Sequence, residues 1–177
     1  SAMKEKTRLV HPPRVSPPDD NPPLVAPLYQ SVKFEHETVA DTLRALRGER
    51  EGFFYSRSAN PTTRQLEQTL AAMQGREDAI VCGSGVGAIA QALLGLLKAG
   101  DHVLCFVETY APTRTLIRRT LARYGVRHTM LSIEDDAGIE RVLKGTPTAL
   151  VIFESPTNPA MRIADIGHIT RLARAAG

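Results

Sequence analysis

Apolar and polar positions change their spacing near residue 78, and the second half of the chain has the clearer pattern. Short apolar runs at 78–82, 102–107, 127–133 and 148–153 have the length and β-branched content of strands. Residues 86–98, 112–124 and 136–144, and a last run near 165–175, instead repeat apolar side chains every three or four positions and predict helices. Strands alternating with helices make βαβ units. The pattern therefore predicts an α/β fold with a mostly parallel sheet and helices on both faces.

Upstream the pattern is weaker. Residues 4–27 hold most of the prolines, including Pro12-Pro13, Pro17-Pro18 and Pro22-Pro23, which excludes a helix and predicts an extended arm. The apolar and aromatic residues from Leu24 to Phe34 predict that the arm docks on something. Residues 38–47 read as a short helix with Val39, Leu43 and Leu46 facing inward, ended by Gly48. Asn60 suits a helix cap and Pro61 a first turn, with Leu66, Leu70 and Met73 following at helical spacing. The expected division is an arm and short helix over 1–60 and α/β structure over 61–177. Ser1-Ala2-Met3 looks like a remnant of tag removal ahead of a starting methionine.

Composition narrows the function. With 177 residues, 42% apolar and 23% charged, the chain can bury a core. The net charge of +3 comes from 22 Lys and Arg against 19 Asp and Glu without a long run, so it reads as a solvated surface rather than a nucleic-acid face. No apolar stretch is long enough for a membrane span and no leader pattern appears, so the cytoplasm is the expected location. Cys82 and Cys105 lack metal-site spacing and read as buried thiols, and five scattered histidines give no metal centre.

The chemistry gathers where the predicted strands end. Gly83-Ser84-Gly85-Val86-Gly87 separates a strand from a helix, and such a turn offers uncovered N–H groups and a positive helix end to a phosphate. Glycines that merely relieve helix–sheet crowding explain that stretch about equally well. The next strand ends at Glu108-Thr109-Tyr110-Ala111-Pro112-Thr113-Arg114, and the fourth at Glu154-Ser155-Pro156-Thr157-Asn158-Pro159. In open α/β sheets these ends share one crevice. Phosphate donors, an aromatic face at Tyr110 and an amide at Asn158 describe a site for a flat, phosphorylated ring. A dinucleotide domain is the rival reading, with Glu108 as the ribose acid, although the third glycine comes one position early. Taken singly, Tyr110 reads as a half-buried tyrosine, Tyr55 and Arg57 as a packing pair, and Asn158 as a turn residue.

Four segments together carry a resemblance: Tyr55-Ser56-Arg57-Ser58-Ala59-Asn60-Pro61-Thr62, Gly83 to Ile89, Tyr110-Ala111-Pro112-Thr113, and Glu154 to Pro159. In this order and spacing they resemble the cystathionine lyase and synthase family, the pyridoxal-phosphate enzymes of cysteine and methionine metabolism. The resemblance runs from about Thr7 to the end. It implies a fold-type I, transferase-like large domain, truncated and preceded by an extended arm, with pyridoxal 5′-phosphate as cofactor and a sulfur amino acid as substrate. It also implies a homo-oligomer, a dimer of dimers in the full-length enzyme. Tyr55 and Arg57 would reach a neighbouring subunit's cofactor phosphate, while Gly85 and Val86 would bind the phosphate of their own subunit through backbone N–H groups. Tyr110 would stack on the pyridine ring and serve as the candidate catalytic residue, and Asn158 would hold the ring's phenolic oxygen.

Departures from the family matter as well. Val86 and Gly87 stand where the family usually has methionine and alanine, a change that a backbone contact tolerates. Tyr-Ala-Pro-Thr resembles the cystathionine β-lyase branch, whereas Ser155-Pro156-Thr157-Asn158-Pro159 is closer to the γ-synthase and sulfhydrylase branch. None of Lys4, Lys6, Lys33, Lys98 or Lys144 lies in the family's Ser-x-Thr-Lys context. The expectation is a fragment of a carbon–sulfur lyase that is inactive as it stands. By the same resemblance, strand 78–82 belongs beyond strands that lie past residue 177, so it should be displaced, re-paired or swapped. A non-catalytic fragment that self-associates through strand edges is the third expectation.

Overall fold

The structure, a computed structural model, describes residues 19–177. The arm over 4–18, with Pro12-Pro13 and Pro17-Pro18, and the leading Ser1-Ala2-Met3 lie outside the described residues. The chain divides into two units, one ending at Val81 and the other running Cys82–Gly177.

The second unit contains a parallel sheet of β1 (His102–Phe106), β2 (Arg127–Leu131) and β3 (Leu150–Ile152), in the order β2-β1-β3. Every residue of the central β1 is buried, and alternation divides its side chains between two cores. Val103 and Cys105 face Leu93 of α3 (Gly85–Leu96) together with Ile117, Leu121 and Val126. Leu104 and Phe106 face the other way, onto Ile139 and Leu143 of α5 (Asp136–Gly145) and Ile169 of α6 (Ile166–Ala175). Apolar runs buried on both sides are what a parallel sheet between two helical layers requires. His102 closes one end of the sheet: Nδ1 lies 2.9 Å from Thr148 Oγ1 and Nε2 lies 2.8 Å from Thr129 Oγ1. Burial first, then the charges of Arg127 and His128, lower the His102 pKa, so the ring is neutral.

Two departures from the sequence pattern stand out here. The helix expected over 112–124 starts as α4 (Ala111–Thr115), widens into a π-turn at Leu116–Thr120 and tightens at Leu121–Tyr124. Ile117 and Leu121 keep a spacing of four, so their pattern cannot distinguish a widened turn from a regular one. Gly125 ends this segment at φ +82°, a conformation that favours glycine. The second departure is the stretch 78–82, which pairs with no strand among the described residues. Its polar contacts are local, with Val81 N donating to Glu67 Oε1 at 3.2 Å and Asp78 paired to Arg64 at 2.6 Å. Ile80, left without sheet neighbours, is 71% exposed. Cys105 is buried as expected, and Cys82 is only half-buried because it lies on this unpaired stretch.

In the first unit the arm docks where its aromatic residues begin. Lys33 bridges Tyr55 in antiparallel fashion, Phe34 N donates to Phe54 O, and Ser56 N donates to Val32 O. Two helices follow, α1 (Val39–Leu46) capped by Thr38 and α2 (Pro61–Met73) capped by Asn60. The inward packing expected of α1 is corrected: Val39, Leu43 and Leu46 are all exposed. Leu66, Leu70 and Met73 of α2 are exposed too, and Ala71 is the unit's one buried apolar residue among those described. Helical spacing records an apolar face; it does not record what covers that face.

Candidate cofactor site

Ser84 arranges the start of α3. Its extended backbone leads into the helix, its Oγ accepts from Gly87 N at 3.0 Å, and its carbonyl accepts from Ala88 N. The first of these bonds takes one of the first turn's free donors, and the second is the helix's own first backbone bond. Gly85 N–H and Val86 N–H have no partner among the described residues, and they sit at the positive end of a 12-residue helix. The glycines have unequal roles. None of Gly83, Gly85 and Gly87 needs a left-handed backbone. A Cβ on Gly87 would lie 2.9 Å from Ser84 Oγ, so that position protects the cap, while Gly83 and Gly85 face open space.

Strand order locates the crevice. The crossover from β1 leads one way to β2, and the crossover from β2 leads back past β1 to β3. The chain therefore reverses direction between β1 and β3, and ligands collect at the carboxyl ends of such a pair. Tyr110 follows β1 and is 44% exposed, which leaves its ring available for stacking. Its backbone N–H donates to Glu154 Oε1 at 2.9 Å, a bond that spans the reversal. Asn158 follows β3, is exposed, and makes no hydrogen bond among the described residues.

The loop that carries Asn158 is held from within. Buried Thr157 donates its N–H to Arg162 O at 2.9 Å and accepts from Arg162 N through Oγ1 at 3.0 Å. Ser155 Oγ accepts from Ala164 N at 3.1 Å. The Arg162 guanidinium then reaches Glu108 at 3.2 Å and Glu134 at 3.1 Å. Glu108 also accepts from Ser132 Oγ at 2.8 Å and from Ile133 N at 3.1 Å. It is a structural acid turned into the protein, not the ribose acid of the dinucleotide reading.

The charge state of Glu108 has a testable consequence. Burial alone would raise its pKa, but the bonds from Ser132 and Ile133 and the charge of Arg162 outweigh burial and hold it below the usual value. A carboxylate whose folded pKa is depressed contributes stability that is complete above its unfolded pKa, about 4.3, and is lost as pH falls through the folded value. Glu108→Gln should therefore be less stable than wild type at pH 7, with the gap closing in urea unfolding as pH falls below about 4.3. A gap that stays constant through that fall would remove Glu108 from the acid response.

Tyr55 and Arg57 belong to the first unit. Tyr55 O accepts from Ser58 N and Ala59 N, and Asn60 Oδ1 caps α2 through Thr62 N at 2.9 Å. Asn60 Nδ2 also donates to Tyr29 O, and Ser56 Oγ donates to Ser31 O, so the docked arm braces the segment. Arg57 is exposed, and its Cζ lies 4.8 Å from the Tyr55 ring centroid. The pairing expected of these two residues in isolation is thus present.

A doubly wound parallel unit with free N–H donors at a helix start and an aromatic ring at the chain reversal has the large-domain architecture of the fold-type I pyridoxal-phosphate enzymes. The family described as Cys/Met metabolism PLP-dependent enzyme matches residues 6–177, and the chain belongs to it. An L-methionine gamma-lyase of Pseudomonas putida is 36% identical over 172 residues, which are 97% of this chain and 42% of that one. A probable cystathionine gamma-synthase of Herpetosiphon aurantiacus is 34% identical over 87% of this chain and 45% of its own length. The chain thus spans less than half the length of these relatives. A Campylobacter jejuni structure, a putative O-acetylhomoserine (thiol)-lyase with N′-pyridoxyl-lysine-5′-monophosphate, superposes with a TM-score of 0.78 at 33% identity. It covers 85% of this chain and 37% of the other.

The donors present fit the cofactor's phosphate. Gly85 and Val86 offer paired N–H groups, and the open side of Gly83 and Gly85 leaves room for a ligand to approach. Sequence reading did not single out Glu154, Glu108 in its structural role, or Arg162. Each acts on a partner more than 20 positions away, Tyr110, Ser132 and Glu108 respectively, and no local spacing marks such pairs.

Proposed function

We propose that this chain is the cofactor-binding part of a pyridoxal-phosphate-dependent carbon–sulfur lyase acting on a sulfur amino acid by β-elimination, working as a cytoplasmic homo-oligomer. The observation that carries the cofactor reading is the pair of unpartnered N–H groups, Gly85 and Val86, at the start of α3. They hold the phosphate by charge-assisted hydrogen bonds. Tyr110, its peptide fixed by Glu154, would stack on the ring, and Asn158 would donate its amide to the ring oxygen. Tyr55 and Arg57 serve the phosphate of a neighbouring subunit, and the exposed apolar residues of α1 and α2 supply surface for such a neighbour. When bound, the cofactor supplies an electron sink for charge developing at the amino acid's α-carbon. Tyr110 would then pass a proton between its phenolic oxygen and the departing sulfur.

Tyr110-Ala111-Pro112-Thr113 favours the β reading. A second reading, γ-elimination or γ-replacement, is favoured by Ser155-Pro156-Thr157-Asn158-Pro159 and by the names of the relatives, which include an L-methionine gamma-lyase and an O-succinylhomoserine sulfhydrylase. Cystathionine separates the two readings. Supplied to the full gene product with cofactor, it should give pyruvate, ammonia and homocysteine by β-elimination. Production of 2-oxobutyrate and cysteine would establish γ chemistry instead, and the absence of both sets of products would sink the lyase proposal.

A further inference from the structure

The widened turn after α4 borders an open cavity of about 130 Å³ lined by Ala111, Arg114, Thr115, Arg118 and Arg119. That is about ten times the space one water needs. No residue of the glycine turn lines it, so it is separate from the phosphate donors of α3. Residues 111–124 contain four arginines and no acidic residue. Among the described residues, no carboxylate lies within 4.0 Å of Arg114, Arg118 or Arg119. Arg114 Nε is buried and has no hydrogen-bond partner. Arg114 and Arg118 stand four apart, and like charges at that spacing repel along a helix. Three guanidinium groups thus line one concavity with no carboxylate beside them.

We propose that this cavity binds a small dianionic oxyanion, a free phosphate or the phosphate of a small ester, held by Arg114, Arg118 and Arg119 with the Thr115 hydroxyl. Planar guanidinium forks match phosphate oxygens two at a time, which a lone ammonium does not. The small Ala111 side chain leaves room beside them. A single small anion fits the concavity better than a polyanion, which needs a continuous basic track.

The test is a titration of the ¹⁵N-labelled chain with inorganic phosphate, and separately with glycerol phosphate, at ionic strength held constant with sodium chloride. Amide and Arg Nε resonances of residues 114–119 should shift and saturate. In R118Q/R119Q, whose altered side chains are exposed, the affinity should fall at least tenfold while the circular dichroism spectrum is unchanged. The single variants R118Q and R119Q should each give part of that loss. Tighter binding of the ester assigns an organic phosphate, and equal or weaker binding assigns free phosphate. Shifts that do not saturate, that chloride reproduces, or that persist in the double variant overturn the proposal. So does binding of an oligonucleotide without binding of either small phosphate. Shifts at Gly85 and Val86 that survive in the double variant belong to the cofactor donors, so the two sites fail independently.

Discussion

Gly85→Pro should weaken binding of 4′-deoxypyridoxine 5′-phosphate by about 10- to 100-fold without unfolding the chain. This ligand keeps the ring and phosphate of the cofactor and lacks its aldehyde, so it reports the non-covalent cradle alone. Gly85 is the first helical residue of α3, where proline's fixed φ suits the helix and its missing N–H breaks no intrahelical bond. Ser84 before it is already extended at φ −160° and ψ 157°, the conformation a following proline demands. A Cβ added at position 85 meets nothing within 4 Å. The substitution thus removes one donor to a charged acceptor, about 1.5–3 kcal/mol, and each 1.4 kcal/mol is tenfold in affinity. Stability should rise by about 0.4–1 kcal/mol, because glycine loses more chain entropy on folding. Gly85→Ala is the control: it keeps the N–H and should bind nearly as wild type. If calorimetry finds equal affinity for the proline variant and wild type, the phosphate does not use this donor.

Phe106→Ala should cost about 3–5 kcal/mol, the largest stability loss expected of a single substitution here. Phe106 is fully buried at the end of the central strand, with its ring edge-on to Phe153 at 6.1 Å. It shares a core with Leu104, Ile139, Leu143 and Ile169, so the cavity would open between the sheet and both α5 and α6. Leu46→Ala is the contrast: Leu46 is 56% exposed, and its loss should stay within about 0.5 kcal/mol. Urea unfolding followed by circular dichroism compares them, and similar losses for both would contradict the burial assignments.

These two sites also show where the sequence was legible. Phe106 lies in an apolar run too short for a helix and too continuous for a half-exposed strand, and that pattern marks a strand covered on both faces. Ser84 and the glycines that follow it marked the helix start because capping chemistry is local. Leu43 and Leu46 misled for the opposite reason: their spacing was correct, but their covering surface is not part of their own segment. The stretch 78–82 was read as a strand from composition, yet a strand also needs a neighbour, and among the described residues it has none. Glu108 was a ligand acid only in the rival dinucleotide reading, and Arg162, 54 positions later, is its partner.

The hydrogen bond from Tyr110 N to Glu154 bears on how such a site diversifies. The peptide that carries the ring is anchored from the end of β3, outside its own motif. The Tyr110 peptide is held by a bond that involves neither the Ala111 nor the Pro112 side chain. Under the proposed function, substitutions at the rim would thus leave the cofactor's seat in place. Loss of the Glu154 carboxylate would couple the two, and each change beside Tyr110 would then also disturb the ring.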